Sequence, residues 1–351
     1  LRFIQKYTKL NSKQSNKKID DFMECQGCAA KISPEAIKKT LPKEIIYNSK
    51  DASSIPKFPK LFHTVDMISS IITDPYKLGM ISANHALSDI YSSGSYPISA
   101  QMILQLPSSN DEIHSRDIRQ IYNGSKKIMD KNSCVINGGH TMIGQDYNPV
   151  IGFTIIGKSK LNKNRKNIIY GDPLFLTGKI GSGLIFAGIN TGKIDSYHKL
   201  EVIDHMIEGN FRIGKILNKI NPLCCTDVTG FGLANHLINL INREKQSIGF
   251  NLELNKIATF KGVKECLKRQ IRSTFFEQNF NSAKNSIIFK NNLNNRHEIL
   301  FDPQTVGGFL FVISKGSIKE VSKLLDDNKV EYSIIGSANN NKPNINILQN
   351  G

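Results

Sequence analysis

The sequence of 351 residues has no tryptophan, and its longest apolar runs, such as residues 149–156, fall far short of the roughly 20 residues that a membrane-spanning helix needs. It lacks a G-x-x-x-x-G-K-[ST] phosphate loop, and no G-x-G-x-x-G follows a predicted strand, which disfavours P-loop kinases and Rossmann dehydrogenases. The six cysteines keep no even spacing, and no apolar h-region follows a basic start, which argues against a secreted disulfide framework and makes the cytoplasm the default compartment. Negative charge is scarce, with 30 Asp and Glu against 46 Lys and Arg, a net charge of +16. Those basic residues are scattered beside Asn and Ile with no aromatic-interleaved stripe, so they read as a solvated surface rather than a nucleic-acid face; a nucleotide is the other polyanion such a charge can serve.

What the sequence does hold is an alternation of strand-like and helix-like segments. Apolar spacing predicts a strand over 61–67, a helix over 77–93, an apolar stretch over 98–106, a helix over 115–130 and strands over 133–137 and 150–157. This is an α/β pattern. A basic polar run at 158–166 precedes a second region, with a strand over 173–177, one helix running from about 203 to a stop at Pro222, and another from about Leu233. The Asn-rich and Lys-rich stretch 281–296 reads as a mobile loop. The expected organisation is a linker or extension over 1–21, a catalytic segment over 22–45, an α/β domain over 46–165 and a second α/β domain over 166–351.

Several constellations carry potential chemistry. Asp66, Asp89 and Asp227 fall where a strand or loop meets a helix or lies within one. Single carboxylates converging in space suit a hard cation that shares its shell with substrate phosphates, whereas each alone reads equally as an N-cap or turn residue. Glycine clusters at Gly138-Gly139-His140-Thr141, at 178–183, at 230–232 and at Gly307-Gly308 suit either phosphate cradles or ordinary turns. Cys25-Gln-Gly-Cys28 has the spacing of a redox pair or half a zinc site, but the adjacent Cys224-Cys225 lacks the spacing of a second half. Lys31 stands three residues after Cys28, where a cation lowers a thiol's pKa. His85, four residues before Asp89, and His140 read as structural or supporting groups rather than bases.

Taken in order, Gly27-Cys28-Ala-Ala-Lys31-Ile-Ser-Pro34, Thr64-Val-Asp66, Ala86-Leu-Ser-Asp89, Gly138-Gly-His-Thr141, Thr226-Asp-Val-Thr-Gly-Phe-Gly232 and Asp302-Pro-Gln-Thr-Val-Gly-Gly308 resemble the selenophosphate synthetase (selenide, water dikinase) family of the aminoimidazole ribonucleotide synthetase superfamily. The resemblance implies an α/β (α+β) two-domain aminoimidazole ribonucleotide synthetase-like fold whose N-terminal sheets pair into a dimeric β-barrel. It further implies that ATP, selenide and water give selenophosphate, AMP and phosphate, with Mg²⁺ and K⁺ as cofactors. Cys28 and Lys31 take the catalytic positions. Asp51, Asp89 and Asp227 take metal positions, and Lys31, Asp66, Asp89, Gly138, Gly139, His140 and Thr141 nucleotide positions, the last four serving the partner subunit's site. The partners expected are the small-molecule substrates and a second copy of the chain, with no nucleic acid and no membrane span. The sequence departs from the family at Ala30, at Lys50-Asp51 and at His85, where an Asn is common. It begins at Leu1, and residues 11–21 resemble a linker, so a covalently fused N-terminal flavoprotein domain is a further expectation. Two alternatives are a catalytically altered nucleotide-binding domain and a related kinase with a different acceptor.

Overall fold

Two sheets organise the chain in the computed structural model, which describes residues 51–144, 148–159, 167–243, 248–289, 295–340 and 344–348. The first sheet has the order β1-β2-β5-β3-β4, from β1 (Ser53–Ile55), β2 (Phe58–Ser69), β3 (Ser95–Pro107), β4 (Val135–Gly144) and β5 (Val150–Ser159). Helices α1 (Pro75–Ser92) and α2 (Asp111–Lys131) connect its strands. All pairings are antiparallel except the one between β3 and β4.

The second sheet has seven strands in the order β7-β10-β6-β11-β8-β12-β9. Its strands are β6 (Pro173–Thr177), β7 (Cys224–Asp227), β8 (Gly249–Glu253), β9 (Ile287–Phe289), β10 (Phe309–Val312), β11 (Tyr332–Asn339) and β12 (Ile345–Leu348). Between them run α3 (Ser182–Asn190), α4 (His198–Glu208), α5 (Phe211–Ile220), α6 (Gly232–Arg243), α7 (Val263–Lys268), α8 (Phe276–Ala283) and α9 (Ile318–Asp327). Strands β6 and β10 and the middle of β12 are fully buried and read as near-continuous apolar runs, because both faces of a covered sheet need apolar side chains.

Helix α1 sets the geometry of the site. Asp74 caps it by accepting from Lys77 N at 3.1 Å, and Pro75 occupies its first turn, where no N–H is missed. From Leu78 to Ser92 every residue is buried, so α1 is not a surface helix with one apolar stripe. Its polar residues are answered by other elements. Ser82 Oγ donates to Ile151 O at 2.9 Å, and Asn84 Nδ2 donates to Met206 O at 2.9 Å and Ile207 O at 2.7 Å at the end of α4. Asn210 Nδ2 donates to Ser88 Oγ at 2.9 Å and to Gly307 O at 2.8 Å. The bonds of Asn84 to α4 and of Asn210 to Ser88 join the first region to the second.

Two sequence expectations need correction. The single helix expected from about 203 to 220 is two, α4 and α5, broken at Gly209, whose φ of 62° ends α4 in a conformation that costs glycine little. The stretch 281–296, expected to be a mobile loop, contains the end of α8 and strand β9, which pairs in parallel with β12 through Ile287, Ile288 and Phe289. Its Asn and Lys content masks a short apolar strand. Among the described residues no helix is long and apolar enough to cross a membrane.

Candidate metal and nucleotide site

Period-two alternation decides which way β2 presents its residues. Thr64, Asp66 and Ile68 turn toward α1, while Val65 and Met67 turn outward and are exposed. Asp89 lies on α1, Asp227 ends β7, and Asp51 stands two residues before β1. Asp89 and Asp227 are buried, and the Asp66 side chain is 13% exposed.

These four carboxylates come together. Burial pushes the Asp89 pKa well above the ordinary carboxylate range, and the negative charges of Asp227, Asp66 and Asp51, in that order, push it further; a hydrogen bond from Thr64 opposes them. Thr64 Oγ1 bonds both Asp89 Oδ2 and, at 3.0 Å, the backbone carbonyl of Asp51. The Asp51 carboxylate accepts at Oδ2 from Ser92 Oγ at 3.1 Å and from Thr226 Oγ1 at 2.9 Å. Asp66 accepts from its neighbour's amide, Met67 N, at 2.9 Å, and its Oδ2 lies 3.0 Å from His85 Nε2. Hydroxyls and an amide therefore hold Asp51, Asp66 and Asp89, and the charges of the neighbouring carboxylates add up at Asp89.

Among the described residues no three His, Cys, Asp or Glu side chains draw tightly enough together to hold an ion unaided. An oxygen-only set of this looseness fits Mg²⁺, which keeps several waters and completes its octahedron with substrate phosphates rather than with a protein cage. The chemistry of the donors, and the repulsion at Asp89 that a cation would reverse, agree with Asp51, Asp89 and Asp227 as metal positions.

The other expected nucleotide residues lie elsewhere. Gly138, Gly139, His140 and Thr141 form no loop: they lie within β4, at the sheet edge, exposed and paired with Gln101–Leu104 of β3. A Cβ at Gly139 would meet Met102 O at 2.2 Å, so close strand approach by itself requires that glycine. Strands β5 and β3 separate β4 from β2, which puts these residues about 14 Å from the Asp66 strand at roughly 4.8 Å per strand spacing. One subunit does not bring them to the aspartates. Residues 178–183 form no open cradle either. Gln304 Oε1 accepts from Gly181 N at 3.0 Å and Ser182 N at 3.1 Å, and Asp302 Oδ2 accepts from Gly183 N at 3.0 Å, so side chains already fill the N-terminus of α3. Cys28 and Lys31 lie outside the described residues.

Thr64, Ser92 and Thr226 are the supporting groups that sequence reasoning did not single out. Thr64 and Thr226 each stand two or fewer positions from a motif aspartate, and only the fold shows that their hydroxyls point at carboxylates.

The fold is AIR synthase-like, and residues 49–159 match the family described as AIR synthase related protein, N-terminal domain. Over nearly its whole length the chain is similar to proteins named selenide, water dikinase. That of Campylobacter jejuni (strain RM1221) is 29% identical over 342 residues, covering 94% of this chain and 97% of the relative. That of Caldanaerobacter subterraneus subsp. tengcongensis is 28% identical over 325 residues, covering 88% and 92%. Among solved structures, thiamine monophosphate kinase from Aquifex aeolicus superimposes with a TM-score of 0.62 at 17% identity, covering 89% of this chain and 94% of its own. A chain of the HypE–HypF complex superimposes with a TM-score of 0.67 at 16% identity, covering 90% and 95%. At these identities the two structures establish the fold alone.

Proposed function

We propose that this chain is an ATP-dependent phosphotransferase of the selenide, water dikinase type, which forms selenophosphate, AMP and phosphate from ATP, selenide and water. The observation that carries the reading is the convergence of Asp51, Asp66, Asp89 and Asp227 around one buried locus, in a chain similar end to end to proteins of that name. In this reading Asp51, Asp89 and Asp227 hold Mg²⁺, and Asp66 faces the nucleotide. The metal supplies neutralisation of phosphate charge when bound. Thr64, Ser92 and Thr226 hold the carboxylates in the orientations they already have. Cys28 supplies a thiolate for the soft selenium nucleophile, and Lys31 supplies a cation both to that thiol and to the phosphates.

A homodimer belongs to the same reading. The outward face of the first sheet exposes Val65, Met67, Ile98 and Ile156, and its edge strand adds Val135 and Met142 to that face, with Val65 61% and Val135 63% exposed. Large apolar residues gathered on one sheet face call for a partner surface, and a second copy would bring Gly138–Thr141 to the other subunit's site. K⁺ as second cation, a cytoplasmic location and the division into segments 22–45, 46–165 and 166–351 complete the proposal.

The test is ³¹P NMR of the purified protein with ATP, Mg²⁺, K⁺ and anaerobic selenide, with selenide-free and sulfide controls. Selenophosphate and AMP appear only with selenide if the reading holds. ATP that is bound but never consumed refutes it and assigns the chain to a nucleotide-binding or regulatory role.

A further inference from the structure

Val306 is buried and has a φ of 52°, in the left-handed region where a β-branched residue is an outlier. Such backbone strain persists only where surrounding structure enforces it, and it often marks a functional site. Here its N–H lies 3.2 Å from Nδ1 of His85, a residue 221 positions away whose side chain is 1% exposed.

That one bond decides the state of the imidazole. A backbone N–H can only donate, so Nδ1 must be the acceptor, and a ring with an unprotonated Nδ1 is neutral with its proton on Nε2. Nε2–H lies 3.0 Å from Asp66 Oδ2, where it acts on the carboxylate as a close electrostatic contact rather than an aligned hydrogen bond. Asp66 Oδ1 already accepts from Met67 N at 2.9 Å. One oxygen of Asp66 is thereby held by its own strand, and the other faces the ring N–H presented by α1. A neutral donor also leaves the carboxylate its full negative charge, which a lysine or arginine in the same place would cancel.

We propose that His85 is a positioning residue for Asp66: Val306 N–H holds it in the neutral Nε2–H tautomer, and it thereby ties the orientation of a site carboxylate to the 302–308 segment. This rests on the nucleotide and Mg²⁺ reading of the site. It has a mechanical consequence, because a shift of the Val306 backbone releases Nδ1, frees the ring to turn and loosens Asp66.

Two substitutions separate the two ends of the ring, since an Asn amide reaches the position of Nδ1 and a Gln amide that of Nε2. The full chain and both variants are compared by calorimetric titration of a non-hydrolysable ATP analogue at several Mg²⁺ concentrations and by thermal melting. His85→Asn keeps an acceptor for Val306 N–H, so it melts near the wild type, but it needs roughly tenfold more Mg²⁺ for half-maximal analogue binding. His85→Gln restores the donor to Asp66, so its Mg²⁺ requirement stays within about threefold of the wild type while it melts lower, because a buried N–H loses its acceptor. A purely structural role makes melting and Mg²⁺ requirement move together in both variants, and that result overturns the proposal. Imidazole ¹⁵N shifts of the wild type provide a readout independent of either variant's folding: a protonated Nδ1 on His85 overturns it as well. A wild type that binds no analogue at any Mg²⁺ concentration refutes the nucleotide reading itself, a failure distinct from coupled changes in the variants of a binding-competent protein.

Discussion

Asp302 gives the structure a pH dependence that can be worked out in advance. Burial pushes its carboxyl from an ordinary 3.8 up to about 7, against hydrogen bonds from Gln304 Nε2 at 2.9 Å and Gly183 N at 3.0 Å that favour the ionised form. The folded pKa lies above the unfolded one, so folding takes up a proton in the interval between them. The stability this group contributes is whole below pH 3.8, falls as pH rises and is gone above about pH 7, where the buried carboxylate has to be held ionised. Across roughly three pH units at about 1.4 kcal/mol each the loss totals about 4 kcal/mol, of which roughly 3 kcal/mol falls between pH 5 and pH 7. Asp302→Asn keeps an oxygen acceptor for Gly183 N and cannot ionise. Urea midpoints at pH 5 and pH 8, with chelator present, should show the variant gaining on the wild type by roughly 3 kcal/mol between the two pH values. Asp89 has a raised pKa as well, but it is present in both proteins and cancels in the difference. Parallel pH profiles would show that Asp302 is ionised throughout, with its hydrogen bonds outweighing its burial.

Three further substitutions probe the site and the exposed face. Asp89→Asn removes one of four mutually repelling carboxylates, so the metal-free protein should melt higher at neutral pH while Mg²⁺-dependent analogue binding weakens roughly tenfold or more; a lower melting point with unchanged binding would make Asp89 structural. Cys28→Ser should abolish selenide-dependent AMP formation and leave analogue affinity unchanged by calorimetry, and full turnover in the variant would remove Cys28 from the chemistry. Val65→Lys combined with Met142→Lys puts charge on the open sheet face, and sedimentation velocity should then show a monomer where the wild type sediments as a dimer; unchanged sedimentation would locate the contact elsewhere.

Much of this was legible in the sequence, for identifiable reasons. Strands β2, β3 and β5 and helices α1 and α2 carry regular apolar periodicity, and the structure lengthens them by a few residues at caps such as Asp74 and Asn110. Asp66, Asp89 and Asp227 stood out as acidic residues at element junctions, but their convergence did not, because they lie on three elements as much as 161 positions apart in a sequence that specifies only local spacing. Gly138–Thr141 looked like a loop because two glycines and a histidine carry no strand propensity; the sheet overrides this by pairing them with β3. The filled N-terminus of α3 was invisible for a related reason. Its occupant, Gln304, arrives from a segment more than a hundred residues away, and nothing local to 178–183 announces it.

Helix α1 shows how stability and function divide within one element. It has no solvent face beyond its first turn, so each polar side chain on it must find a partner, and most do: Ser82 in β5, Asn84 at the end of α4, Ser88 through Asn210, His85 through Val306 N–H. Each of these contacts removes the cost of burying a polar group, and several also bind the two regions together. Asp89 is different. It receives a bond from Thr64, yet it faces three further carboxylates in a place where burial alone already disfavours its charge. A fold selected for stability alone would put a neutral residue there. Local choices that oppose the rest of a structure concentrate at functional sites, and here the opposition has a definite sign, since a divalent cation turns the repulsion among four carboxylates into attraction for each. The same substitution that should stabilise the metal-free protein should therefore damage metal-dependent binding. This opposite movement of the two measurements distinguishes a metal site from a buried acid that merely fills space.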